Sequence, residues 1–159
     1  MGVCGCGKSE VGHQLAAALK VRFLEGDDYH SAANVAKMAA GTPLHDADRA
    51  GWLLRLQGEI AAARAGGQGL VLACSALKRR YRDLLRAADP ALRFAHLAGA
   101  RELIAHRMQA RPEHYMPLSL LDSQLRDLEP LDPAEPGVRL DISDPPAALV
   151  EQILRYQGR

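Results

Sequence analysis

Residues 2–9 read G-V-C-G-C-G-K-S and fit the phosphate-loop pattern G-x-x-x-x-G-K-[ST]. Nothing else in the 159 residues constrains the fold as strongly, because such a loop joins a buried strand to the start of a helix. Gly2, Gly5 and Gly7 let the backbone turn tightly and turn its N–H groups toward phosphate oxygens. The positive end of the following helix adds to that attraction. Val3, Cys4 and Cys6 complete the loop, Lys8 is placed to reach β- and γ-phosphates, and the Ser9 hydroxyl is placed to ligate Mg²⁺. The glycine order G-x-x-G-x-G departs from the dinucleotide fingerprint G-x-G-x-x-G. Only Met1 precedes the loop, so the strand that should lead into it is not in the sequence.

Downstream, strand and helix signals alternate. Apolar Val11, Leu15, Ala18 and Leu19 predict a helix over 9–20, and VRFLE (21–25) a strand. Ser31 caps a short helix that Gly41 stops. A longer helix runs from a cap at Asp46 to the Gly66-Gly67 pair. LVLAC (70–74) is a continuous apolar run, as in a sheet buried on both faces. Ser75 opens an arginine-rich helix through residue 86. RFAHL (93–97) is the next strand, followed by a helix over 100–110, a loop at 111–117, a helix over 119–128 and a proline-rich connector at 130–137. VRLDI (138–142) is the last strand, and 145–157 the last helix, with prolines in its first turn. The expected fold is one α/β domain over 1–159: a phosphate-loop-kinase-like parallel sheet with helices on both faces, its first strand truncated.

Composition removes several function classes. A formal net charge of +1 gives no basic stripe for nucleic acid, and 4% aromatic residues make no base-stacking platform. No apolar run reaches the roughly 18 residues of a membrane span, and the glycine-loop start is unlike a signal peptide. Cys4, Cys6 and Cys74 are odd in number and lack zinc-site spacing, which points to a reducing, cytoplasmic setting.

The acids indicate the type of phosphate chemistry. Motor ATPases and GTPases hold their metal with an aspartate ending an apolar strand, and LVLACSA has none there. Glu25, Asp27 and Asp28 instead follow the second strand signal, in LEGDDYH. An acid at that place can orient an incoming hydroxyl and hold the metal's water shell, which suits a small-molecule kinase. The plain alternative is a solvated turn with capping acids.

The blocks GVCGCGKS, EGDDYHSAANVAKMAAGTPLHDADRAGWL, ACSALKRRYRDLLR and ARPEHYMPLSLLDSQLRDLEPL together resemble the gluconokinases of the small phosphate-loop kinase type. The resemblance runs over residues 2–142. It implies ATP- and Mg²⁺-dependent phosphorylation of D-gluconate at its 6-hydroxyl, a core sheet with a mobile lid at about 107–124, and often a homodimer. Cys4 and Cys6 stand where relatives commonly carry serine. Glu25 stands where aspartate is frequent, and RPEHY replaces a lid segment that usually contains glycine.

On that resemblance, Asp27 positions and deprotonates the 6-hydroxyl. Alignment and charge matter more than basicity in a loose phosphoryl-transfer transition state. His30, Asn34 and Lys37, at i, i+4 and i+7, line the sugar-acid pocket, or else form a polar outer face. Arg49 forks onto the gluconate carboxylate, while Trp52 packs. Lys78 and Arg82 hold substrate or the transferred phosphate. Arg107 and Arg111 close over ATP from the lid, or else complement a helix C-terminus. His114 and Gln124 match the pattern without an assigned step. The competing readings are a shikimate-type kinase and an impaired nucleotide-binding paralogue. Because every other block is present, the expectation is that the natural chain begins upstream of Met1. Met1 alone would leave a slot in mid-sheet, beside neighbours that include VRFLE, LVLAC or RFAHL.

Overall fold

The phosphate loop enters helix α1 (Lys8–Leu19) directly, with Gly7 as its N-cap in the left-handed region (φ 91°). In the computed structural model, which describes residues 1–110 and 117–157, strand β1 (Arg22–Glu25) follows α1. A short 3-10 turn (Gly26–Tyr29) leads to helix α2 (Ala32–Ala39), capped as expected by Ser31, whose hydroxyl accepts from the Asn34 N–H. Helix α3 (Asp46–Ala65) is capped by a box between His45 and Asp48 rather than by Asp46. Strand β2 (Leu70–Ala73) is followed by a stretch without regular structure, so helix α4 (Arg79–Ala88) starts four residues after Ser75. Strand β3 (Phe94–Ala98), helices α5 (Arg101–Gln109) and α6 (Leu118–Asp127), strand β4 (Gly137–Asp141) and helix α7 (Pro146–Gln157) complete the order. No described helix is long and apolar enough to cross a membrane.

Among the described residues the sheet is two parallel pairs, β1–β2 and β3–β4, with registers Leu24↔Leu72 and Leu97↔Leu140. Period-2 alternation sends the strand side chains to opposite faces. On one face, Val71, Ala95 and Leu97 pack with α1 and α7 through Val11, Leu15, Leu149 and Ile153. On the other, Leu24, Leu70 and Leu72 pack with α3 and α4 through Trp52, Leu56, Tyr81 and Leu85.

Between β2 and β3 lies the beginning of the chain. The Met1 N donates to the Ala95 carbonyl, the Leu97 N–H to the Met1 carbonyl (2.9 Å), and the Gly2 N–H to the Ser75 carbonyl (3.2 Å). At Gly2 a Cβ would lie 2.6 Å from the Leu97 oxygen, so only glycine fits where the chain threads the two half-sheets. Alongside this crossing is an apolar slot of about 130 Å³, lined by Leu70, Leu72, Leu85, Phe94 and Ile153 among others. The neighbours of this crossing are LVLAC and RFAHL. VRFLE lies beyond LVLAC.

Candidate active site

A β-strand ending, a glycine turn and a helix N-terminus converge at the loop. Gly5 (φ 74°) and Gly7 (φ 91°) take conformations rare for other residues. A Cβ on Gly7 would meet nothing within 4 Å, so the concavity beside it is open. Together with the start of α1 this makes a cradle suited to an anion.

Two hollows meet at the loop. One is lined by Gly5, Gly7, Ser9, Glu25 and Asp28. The other is lined by His30, Arg49, Trp52, Ser75, Ser123 and Gln124. Cys4, Lys8 and Asp27 line both. The lysine that would touch a terminal phosphate and the acid that would touch an acceptor hydroxyl thus stand at the junction.

In the first hollow the Ser9 hydroxyl donates to Glu25 Oε2 at 2.6 Å, and Glu25 Oε1 accepts from the Asp27 N–H at 3.5 Å. The extra methylene of glutamate, relative to aspartate, lets this carboxylate reach both. These donors are all oxygen, and no cluster of three His, Cys, Asp or Glu is found among the described residues. That set fits a hard cation that keeps most of its water, as Mg²⁺ does. Lys8 Nζ donates to the Val3 carbonyl at 2.9 Å. Burial opposes its charge, but Cys6 and Asp27 outweigh this and hold the ammonium above the usual lysine range. Burial pushes the Cys4 thiol up to about 11, so it stays protonated and unreactive.

In the second hollow His30 stacks on Trp52 (4.4 Å between centroids, 12° between planes). Trp52 is packed, as expected, and its indole N–H donates to the Gly26 carbonyl at 2.7 Å. Burial lowers the His30 pKa, and its Nδ1 is buried without a partner among the described residues. Arg49, 7% exposed, donates to Asp127 Oδ2 at 3.1 Å and to the Tyr81 hydroxyl at 3.4 Å.

Several candidates lie elsewhere. Arg82 is corrected outright: it is wholly buried and cannot meet a substrate. Its guanidinium forks onto Glu135 at 2.6 and 2.8 Å and donates to the carbonyls of Ala76, Leu77, Glu129 and Pro130. Every donor direction is spent on architecture. Lys78 does not line the second hollow. It turns to Asp46 (3.1 Å) and to Asp127 (3.7 Å), the carboxylate that Arg49 also holds. His30 precedes α2 rather than sharing its face. Asn34 donates to the Asp48 carbonyl (2.8 Å), and Lys37 pairs with Asp48 (2.6 Å), so both tie α2 to α3. Within the loop, the Gly2 N–H is committed to Ser75, while Val3 and Cys6 are buried in the core. Arg107 donates to the Ile142 carbonyl at 2.7 Å, tying α5 to the end of β4. Arg111 and His114 lie outside the described residues.

Sequence reading passed over Ser75, Ser123, Met38, Pro43 and Leu44 as lining residues. Ser75 carried a usable signal, since open α/β sheets bind ligands beyond the carboxyl ends of their strands. Its neighbour Ala76 has φ 42°, a strained value for alanine that recurs near sites.

The family model described as Shikimate kinase matches residues 4–130. A gluconokinase of Gluconobacter oxydans (strain 621H) is 44% identical over 156 residues, covering 98% of this chain and 88% of the relative. The thermosensitive gluconokinase of Escherichia coli (strain K12) is 42% identical over 153 residues, covering 96% and 82%. The crystal structure of a gluconokinase from Sinorhizobium meliloti 1021 superposes with a TM-score of 0.91 at 41% identity, covering 100% and 89% of the two chains.

Proposed function

The chain belongs to the gluconokinase family, and from that membership we propose how its own residues carry out ATP-dependent phosphorylation of gluconate to 6-phosphogluconate. The observation that carries the reading is the junction: Lys8 and Asp27 line both hollows. One hollow has the glycine cradle and oxygen donors that suit a nucleotide's phosphates. The other has a histidine, an arginine and small polar groups that suit a polyhydroxy acid.

Asp27 accepts a hydrogen bond from the 6-hydroxyl and aims its oxygen at the γ-phosphorus. As the new O–P bond forms, the bond to the β-phosphate oxygen breaks and ADP leaves. The hydroxyl proton passes to Asp27 and then to solvent. Lys8 leaves the Val3 carbonyl and follows the charge on the transferring group, the kind of preorganised contact that dominates such reactions. Ser9, oriented by Glu25, would hold Mg²⁺, which when bound neutralises charge across the β- and γ-phosphates. Arg49 receives the gluconate carboxylate in a two-pronged contact, exchanging it for Asp127. The unpartnered Nδ1 of His30 is available to a sugar hydroxyl.

The test is ADP release measured with gluconate present and absent, with 6-phosphogluconate identified as product and shikimate offered in parallel. Gluconate-dependent release is expected. Release only with shikimate would make this a shikimate kinase, and tight ATP binding without release would make it a nucleotide-binding paralogue.

A further inference from the structure

Helix α6 touches both halves of the site. Leu120 and Leu121 bury it in the core at 3% and 0% exposure. Asp122 fixes it to α5, accepting two hydrogen bonds from Arg101 at 2.7 and 3.0 Å. On another side, Gln124 and Asp127 stand three residues apart and so point the same way. Asp127 holds Arg49, the acceptor-side cation. Gln124 Oε1 accepts from the Cys4 N–H at 2.7 Å, across 120 residues of chain, and so holds the phosphate loop. Cys4 lines both hollows, and Gln124 lines the acceptor hollow.

The orientation of this carboxamide follows from its partner. A backbone N–H can only donate, so the atom facing Cys4 is the oxygen. The NH₂ group, with two donors, is left on the side chain of a residue lining the acceptor hollow. Gluconate offers four secondary hydroxyls as acceptors between its two ends. One carboxamide can therefore hold the loop and the acceptor chain together.

We propose that Gln124 is a substrate-binding and positioning residue: Oε1 sets the phosphate loop at Cys4 while the NH₂ group binds a secondary hydroxyl of gluconate, registering donor against acceptor. The inference rests on the gluconokinase reading. Misalignment at this junction leaves ATP bound beside an unaligned hydroxyl, so the specific consequence of losing Gln124 is wasted ATP as well as slower transfer.

Two variants separate the halves of the carboxamide. Gln124→Glu keeps an oxygen for Cys4 but has no NH₂. Gln124→Met removes both. For Gln124→Glu we expect the KM for gluconate to rise about tenfold or more, with the KM for ATP within about threefold. For Gln124→Met we expect, in addition, kcat down by roughly 10–100-fold and a larger ratio of ATP hydrolysed to 6-phosphogluconate formed. Melting temperatures are recorded for both. Normal wild-type turnover with unchanged gluconate KM and unchanged hydrolysis ratio in both variants overturns the proposal alone, even if melting temperatures fall. Absence of gluconate turnover in the wild type overturns the functional reading and the proposal with it. If Gln124→Met does not fold, Gln124→Glu with an unchanged gluconate KM still overturns it.

Discussion

Two clusters of cations and carboxylates flank α4, and they behave as different materials. Arg82 and Glu135 are both buried, their side chains wholly hidden, and the guanidinium also donates to four backbone carbonyls. In the second cluster, Arg49 and Lys78 share Asp127, while Asp46 accepts from Tyr81, Lys78 and Arg80. These carboxylates are half-exposed, and Arg49 lines the acceptor hollow. The first cluster is saturated and closed to exchange. The second holds its cations with carboxylates that are open to solvent. Residue type does not tell them apart, whereas burial and saturation do.

The sharpest way to break the first cluster is Arg82→Met, which leaves Glu135 buried without its forked partner and with only the Asp132 N–H and Arg79, 3.8 Å away, beside it. We expect a loss of about 3–5 kcal/mol of stability, a large part of the roughly 5–15 kcal/mol a small domain has, read as a fall in Tm. Acidification supplies the sign. In the wild type burial raises the Glu135 pKa, but Arg82 and backbone hydrogen bonds outweigh it and hold the pKa below the usual glutamate range. Its stabilisation is therefore present above the unfolded-state value and is lost as pH falls through the folded one. In the variant burial is opposed only by the Asp132 N–H and the more distant Arg79, so the pKa rises from its wild-type position and protonation relieves the misfit. The Tm gap between the two proteins should therefore narrow from about pH 7 to about pH 4.5. A constant gap would mean that Glu135 is not the strained group.

On the functional side, the next largest effect is Lys8→Ala. We expect kcat to fall by roughly 10²–10³-fold with Tm little changed, because one preorganised contact to developing charge is removed. Arg49→Lys comes next: the KM for gluconate should rise about tenfold, more than that for ATP, since an ammonium cannot reproduce a bidentate fork. Equal effects on both substrates would move Arg49 into the structural cluster with Arg82. The smallest effect belongs to Lys37→Ala. Its pair with Asp48 is exposed on the lysine side, so urea unfolding should shift by no more than about 0.5 kcal/mol, with the gluconate KM unchanged. A raised KM there would return Lys37 to the acceptor pocket.

Much of this organisation could be read without coordinates. The spacing of GVCGCGKS determined a loop on a helix N-terminus. The alternation of short apolar runs with amphipathic stretches determined a parallel α/β sheet. The acids of LEGDDYH were legible as residues lining the hollow because they follow a strand end. Those signals are local, carried by a few consecutive residues whose backbone preferences and periodicity act wherever the chain folds. What tertiary structure alone decided is which charges are spent. Arg82 and Lys78 stand four residues apart in one arginine-rich stretch, yet Arg82 is claimed by Glu135, 53 residues away in the proline-rich connector. Gln124 reaches Cys4 across 120 residues. A hydrogen bond of that kind depends on where two distant elements come to rest, and the cost of leaving a buried donor unpaired, about 1–3 kcal/mol, is incurred only once the chain has closed around it.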